Sequence, residues 1–280
     1  MKSKKFKAIF FTSLIFLLFS IFSFWQVTKF NDGKLHIAFC NVGQGDAVFI
    51  RTPKGQDILI DSGPNESVLQ CLSDNMPFWD KDLELVILSH PHADHATGLL
   101  SVLVRYNVLY FYTEKHSRIL SKTEEEIEKI LAQKNIKKGY LQKGDRFKIE
   151  DLILKTFSSA DSSVSVDPNV SLIELLTYKN FKILFPGDSP FQVEDKVAGE
   201  IGKIDVLKVA HHGSKTGTDQ YLLSVLKPQL AVISVGKNNK YKLPSKDVEK
   251  ILGARGIKIL RTDMDGEVRL VSDGQKFWVE

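Results

Sequence analysis

A chain of 280 residues can form one large domain or two small ones with a sizeable core, and its 43% apolar and 10% aromatic content sets aside a largely disordered polymer. The formal net charge of +4 equals the four lysines Lys2, Lys4, Lys5 and Lys7; subtracting them leaves residues 8–280 at zero, with no overall basic excess to attract a polyanion. Two cysteines, Cys40 and Cys71, exclude a disulfide scaffold and a four-cysteine zinc site. They are expected as buried or partly buried thiols, with a single disulfide as the alternative if the domain lies outside the cytoplasm.

In chain order, residues 8–25 (AIFFTSLIFLLFSIFSFW) come first, a run without charge or helix breaker. As a helix it rises about 27 Å, close to the thickness of a bilayer core. Lysines precede it and Trp25 sits where an interfacial aromatic belongs. The expectation is a membrane anchor over residues 1–28, spanning once, with the rest of the chain extracytoplasmic. The run's end, Phe22-Ser23-Phe24-Trp25, is dominated by bulky aromatics and fits signal-peptide cleavage poorly; cleavage would make the product secreted. Strands are predicted at Leu35–Cys40, Ala47–Thr52, Asp57–Ile60 and Leu85–Leu88. Helices are predicted over Ala96–Arg105 and Glu124–Gln133. Strand patterning returns at Phe147–Phe157, Ser171–Tyr178 and Phe181–Phe185, the last two joined by a hairpin at Lys179-Asn180. Strands Val206–Val209, Leu230–Val235 and Lys258–Leu260 then alternate with helices Asp219–Leu226 and Ser245–Gly253. A final hairpin pairs Glu267–Val271 with Lys276–Val279 across Asp273-Gly274. This pattern predicts one α/β domain over residues 35–280 with helices covering sheet faces.

The chemistry concentrates in Ser89-His90-Pro91-His92-Ala93-Asp94-His95, at the end of an apolar strand and before a helix. Alternate residues of an extended stretch point the same way, so His90 and His92 can face one cation. The turn that follows redirects Asp94 and His95 toward a second position. Imidazole and carboxylate donors suit zinc, manganese or iron. Asp188, in Pro186-Gly187-Asp188-Ser189, is read as a bridge between two metals, or else as an ordinary turn or N-cap residue. His211-His212 ends another strand; one of the pair can ligate while the other meets substrate or leaving group. Gly43-Gln44-Gly45 lacks the lysine and hydroxyl of a phosphate-binding loop and reads as a turn.

Together, His90-x-His92-x-Asp94-His95, Asp188 and His211-His212 resemble the metallo-β-lactamase superfamily. Asn41-Val42-Gly43-Gln44-Gly45-Asp46-Ala47, Asp61-Ser62-Gly63, Pro186-Gly187-Asp188 and His211-His212-Gly213-Ser214-Lys215 look like the hydrolase domain of ComEC-type competence proteins, a resemblance over about residues 35–280. It implies a four-layer αββα sandwich with two divalent metal ions at one rim, zinc first and manganese as the alternative. His90 and His92 would hold one ion; Asp94, His95 and His212, favoured over His211, the other; Asp188 would bridge. Asp61 would support the metal loop, Asp46 would lie near the site, and Ser214 and Lys215 near the substrate. The segment where many members carry a third histidine reads Asp167-Pro168-Asn169-Val170-Ser171, which leaves Asn169 as a weak ligand at most. Leu243, not histidine, precedes Pro244, which weakens transfer of the same substrate. No multi-span channel accompanies the domain, which sets aside a pore role for this chain alone.

The activity these features predict is extracytoplasmic phosphodiester hydrolysis, on DNA or a small phosphate ester, by a hydroxide activated between two metals, with Asp94 essential and His211 or Lys215 assisting. The alternatives are a lactonase or β-lactamase-type hydrolase and a non-catalytic membrane-tethered binding module. The membrane is the other partner; no protein partner is inferable.

Overall fold

Strands buried on both faces divide the interior into separate cores by simple alternation. In the computed structural model, which describes residues 2–115, 119–158 and 171–280, the first strands are β1 (Leu35–Phe39), β2 (Val48–Arg51), β3 (Asp57–Ile60), β4 (Asp82–Leu88), β5 (Asn107–Glu114) and β6 (Lys137–Leu141). They are followed by β7 (Arg146–Ile149), β8 (Leu152–Ser158), β9 (Ile173–Tyr178), β10 (Phe181–Phe185) and β11 (Val206–Lys208). The last are β12 (Leu230–Ile233), β13 (Lys258–Arg261), β14 (Val268–Ser272) and β15 (Phe277–Val279). One sheet runs β15-β14-β1-β2-β3-β4-β5-β6 and the other β13-β12-β11-β10-β9-β8-β7. Val48 and Ile50, Ile58 and Ile60, Leu85 and Ile87 point into the core between the sheets, where they meet Leu154, Leu176, Ile183 and Val232.

The intervening residues Phe49, Leu59 and Val86 face outward onto helices α2 (Ser67–Asn75), α4 (Leu99–Arg105) and α5 (Lys122–Gln133). On the far side, Leu184, Leu207 and Ala231 meet α6 (Phe191–Ile201), α7 (Gln220–Leu226) and α8 (Lys246–Gly253). The result is a four-layer αββα sandwich, the architecture that the resemblance implies. β3, β4, β5 and β6 run parallel, as do β10, β11, β12 and β13, so the chemistry-bearing segments that follow β3, β4, β10 and β11 emerge at one rim.

Several expectations change. The single strand expected over Phe147–Phe157 is the β7–β8 hairpin, turned at Glu150 with φ +54°. The helix expected at Ala96–Arg105 is two short pieces, α3 (Ala93–Ala96) and α4, and at their junction Gly98 packs against the Ser62 carbonyl, 2.1 Å from where a Cβ would stand. Cys40 and Cys71 are not free thiols: they form a disulfide between the end of β1 and α2, with Cα atoms 5.6 Å apart. A 31-residue separation hid that pairing until α2 packed on the sheet.

The N-terminal helix α1 (Lys2–Phe30) runs two residues past the expected end of the anchor at residue 28. Its Ile9–Phe30 portion is long and apolar enough to cross a membrane, and its apolar side chains stay exposed. Its C-terminal half meets the domain: Gln26 and Phe30 are buried, and buried Arg51 donates from Nε to the Phe30 carbonyl at 3.2 Å.

Candidate metal centre

β3 leaves the sheet at Asp61, whose φ of +58° turns its carboxylate back under the loop after β4. There Asp61 accepts hydrogen bonds from the Ser89 amide and Ser89 Oγ, each at 2.7 Å, and from His95 Nδ1 at 2.9 Å. Three bonds from one buried carboxylate thus shape the turn that carries His90, His92, Asp94 and His95. With its Nδ1 committed, His95 directs Nε2 toward Asp188 Oδ1, 3.3 Å away. His90 repeats the arrangement: Nδ1 faces Ser89 Oγ at 3.1 Å and Ser171 Oγ at 3.4 Å, and Nε2 lies 3.8 Å from Asp188 Oδ2.

Asp188 arrives just past β10 through Gly187, whose φ is +56°; a Cβ there would stand 1.9 Å from Ser171 Oγ. The two late histidines both adopt left-handed backbone, φ +50° and +53°, a conformation histidine tolerates better than most residues. His212 donates from Nδ1 to the Ser234 carbonyl at 3.0 Å and turns Nε2 to Asp94 Oδ2 at 3.2 Å and Asp188 Oδ1 at 3.7 Å. His211 lies on the solvent side, with Nε2 3.7 Å from Asp188 Oδ2. Ser214 Oγ pairs with Thr216 Oγ1 at 2.9 Å, and Lys215 is exposed at the rim. Asn169 lies outside the described residues.

Donor atoms therefore fall into two groups that share Asp188. His90, His92 and Asp188 form one; Asp46, His95, Asp188 and His212 form the other, with ligand atoms in each within 4.8 Å of one another. Asp94 flanks the second group through His212. Among the described residues, His90 Nε2, His95 Nε2 and Asp188 Oδ1 are buried and make no hydrogen bond, a costly arrangement that cations would relieve.

The electrostatics agree with such a fit. Burial opposes charge on every group, yet the imidazoles of His95 and His212 hold Asp188 well below the usual carboxylate range. Conversely, Asp188 and Asp46 overcome burial and lift His212 to about 9, and Asp188 and Asp61 raise His95. His90 is pushed well down, by burial first and the neighbouring His95 second. The carboxylates thus demand positive charge at this spot, and divalent ions would supply it while displacing protons from the imidazoles.

Sequence reasoning missed Lys208. This lysine stands in the short, otherwise apolar β11 and is 2% exposed. It donates to Asp46 Oδ2, and to the Gly187 carbonyl at 3.1 Å. Asp46, expected merely near the site, is thereby tied to a cation on one side while its other oxygen lies 3.4 Å from His212 Nδ1. A charged residue within an apolar parallel strand was the available signal. Beneath this pair lies a cavity of about 10 Å³ lined by Asp46, Asp61, Ser89, Glu174, Gly187 and Lys208, room for about one water.

A family model described as the metallo-β-lactamase superfamily matches residues 40–237. The chain is 30% identical over 264 residues to Recombination protein 2 of Haemophilus influenzae, covering 92% of this chain and 31% of that protein. It is 27% identical over 248 residues to ComE operon protein 3 of Bacillus subtilis, covering 82% and 32% respectively; the chain spans about a third of the length of these relatives. Among solved structures, the metallo-β-lactamase fold protein YhfI of Bacillus subtilis aligns over 88% of this chain and all of that one, with a TM-score of 0.59 and 12% identity, a likeness of fold alone. With its two sheets, its rim of histidines and aspartates, and a family match over most of its length, the chain belongs to the metallo-β-lactamase superfamily, a family of metal-dependent hydrolases.

Proposed function

We propose that this protein is a membrane-anchored, extracytoplasmic phosphodiesterase acting on DNA or a small phosphate ester. The observation that carries the reading is the pair of donor groups hinged on Asp188. In this reading His90, His92 and Asp188 would hold one divalent ion, zinc or manganese, and Asp94, His95, His212 and Asp188 would hold the second. Such ions activate water near neutral pH and offset the charge that develops on a phosphate. The chain's own part is to orient and to move protons. Asp61 and the Ser234 carbonyl keep His95 and His212 in the tautomer that points Nε2 inward. Asp46, clamped by Lys208, stiffens the same wall. His211, partly exposed beside Asp188, donates a proton to the leaving oxygen, and Lys215 and Ser214 meet the substrate phosphate at the open rim.

A phosphodiester substrate draws support from the named relatives, a recombination protein and a ComE operon protein. The neutral charge of residues 8–280 supports a small ester over tightly held duplex DNA. The Cys40–Cys71 disulfide supports an oxidising compartment outside the cytoplasm, as do the lysines that precede the apolar run. We divide the chain at the same boundaries, an anchor of residues 1–28 and a hydrolase domain of 35–280.

The test is metal content and turnover of the full-length protein on bis-aryl phosphates, single- and double-stranded DNA and lactams. Stoichiometric metal with phosphodiester turnover lost in Asp94→Ala is the expected result. Metal-free protein inert on every substrate would instead leave a tethered binding module, and turnover of lactams alone would leave a lactamase-type enzyme. A salt-sensitive gel shift separates the DNA substrate from the small ester.

A further inference from the structure

The loop between α2 and β4 carries two large aromatic side chains that the hydrolase site does not use. Pro77–Asp80 forms a tight turn, closed by the Asp80 amide donating to the Pro77 carbonyl at 2.9 Å. Met76 and Pro77 are buried and anchor it, while Phe78 and Trp79 at its tip remain 47% and 46% exposed. Adjacent exposed aromatics on a rigid turn are unfavourable in water.

The turn sits against the apolar helix. The Phe78 ring lies 5.4 Å from that of Phe22 and 6.5 Å from that of Phe19, and packs edge-on to Trp79 at 4.9 Å. Its amide donates to Gln26 Oε1 at 3.4 Å. Arg51 fixes the geometry. This buried guanidinium donates to the Phe30 carbonyl at the helix end, to Asp80 Oδ2 at 3.3 Å in the turn, and to Asp57 within the sheet. One side chain thus ties helix end, aromatic turn and sheet together.

Depth follows from helix rise. Phe22 and Phe19 lie about 5 and 9 Å below Trp25 along the axis, the range in which interfacial side chains reach past the headgroups. Lys29, near the helix end, sets its Nζ over the Trp25 and Phe30 rings, a cation at the level where phosphate headgroups would stand.

We propose that Phe78 and Trp79 insert into the outer boundary of the bilayer, as a second contact beside the helix, so that the domain lies on the membrane in one fixed orientation. The inference rests on the reading of α1 as a membrane anchor. The test uses the full chain in phosphatidylcholine vesicles with Trp25→Phe and Trp278→Phe, which leaves Trp79 as the sole tryptophan of the three. Vesicle flotation reports the anchor; quenching by lipids brominated near the carbonyl end, against quenching by aqueous acrylamide, reports the turn. The expected result is flotation, strong bromolipid quenching and protection from acrylamide, with protection lost in Phe78→Asp while hydrolysis of a soluble ester is unchanged. Protein that floats but whose Trp79 is quenched by acrylamide and not by bromolipid overturns the insertion and spares the anchor. Protein that fails to float overturns both.

Discussion

Asp188 and Glu174 are equally buried and are near neighbours, yet they differ in charge. Glu174 lies on β9 opposite Phe185 of β10, three residues before Asp188. Asp188 faces protonatable imidazoles and stays ionised despite burial. Glu174 faces the apolar inter-sheet core with one hydrogen bond, from Thr156 Oγ1 at 2.8 Å, and burial pushes its carboxyl up to about 8. Equal burial therefore does not give equal charge: burial pushes both carboxyls up, and only the imidazoles beside Asp188 overcome it. The rim is a place prepared for charge, and the interior one layer below it is not.

The largest break of that contrast is Asp188→Asn. It removes the shared carboxylate without changing volume, and should lower metal affinity by more than the about 10–100-fold typical of losing an outer support, with hydrolysis lost in parallel. Metal analysis and turnover check this, and a near-parental thermal melt confirms that the fold survives. Asp61→Asn comes next: weakening the bonds to Ser89 and His95 should cost about 10–100-fold in metal affinity with the ligands still present. Titration with zinc against a competing chelator measures it; unchanged affinity would mean that the turn holds its own shape.

Removing the cross-link with Cys40→Ser and Cys71→Ser should lower stability by about 2–4 kcal/mol. Urea unfolding reads that loss, while metal content per folded molecule stays at the parental level if the rim is shaped by Asp61 and Lys208. Glu174→Gln gives the sharpest contrast with Asp188, because its effect vanishes at low pH. A carboxyl raised from 4.5 to about 8 in the folded state contributes stability that is complete below its ordinary value and lost as pH climbs through the raised one. The glutamine variant does not titrate, so it should match the parent near pH 4.5 and gain on it progressively toward pH 8. Melting curves across that range test the sign; parallel curves for the two proteins would show Glu174 already ionised.

The histidine turn after β4 and the hairpins at Lys179-Asn180 and Asp273-Gly274 were legible because their signals are local. Spacing, an apolar run and turn chemistry suffice there. β5 and β6 were not. β5 leaves Leu109 and Tyr110 exposed, and β6, reading Lys-Lys-Gly-Tyr-Leu at the sheet edge, carries the lysines that edge strands use against unwanted pairing. Neither shows clean alternation. The β7–β8 hairpin was read as one strand because Glu150-Asp151 carries no glycine to mark the turn.

What the sequence determined by itself was the histidine-rich turn after β4, the apolar N-terminal helix and the class of fold, since residue type and short-range periodicity carry these directly. Only the tertiary structure decided that Cys40 meets Cys71, that Lys208 clamps Asp46, that His212 turns inward while His211 faces out, and that Glu174 is buried with Thr156 Oγ1 as its hydrogen-bond partner. Those outcomes depend on which distant segments become neighbours, and a carboxylate or imidazole takes its charge from such neighbours and not from its place in the chain.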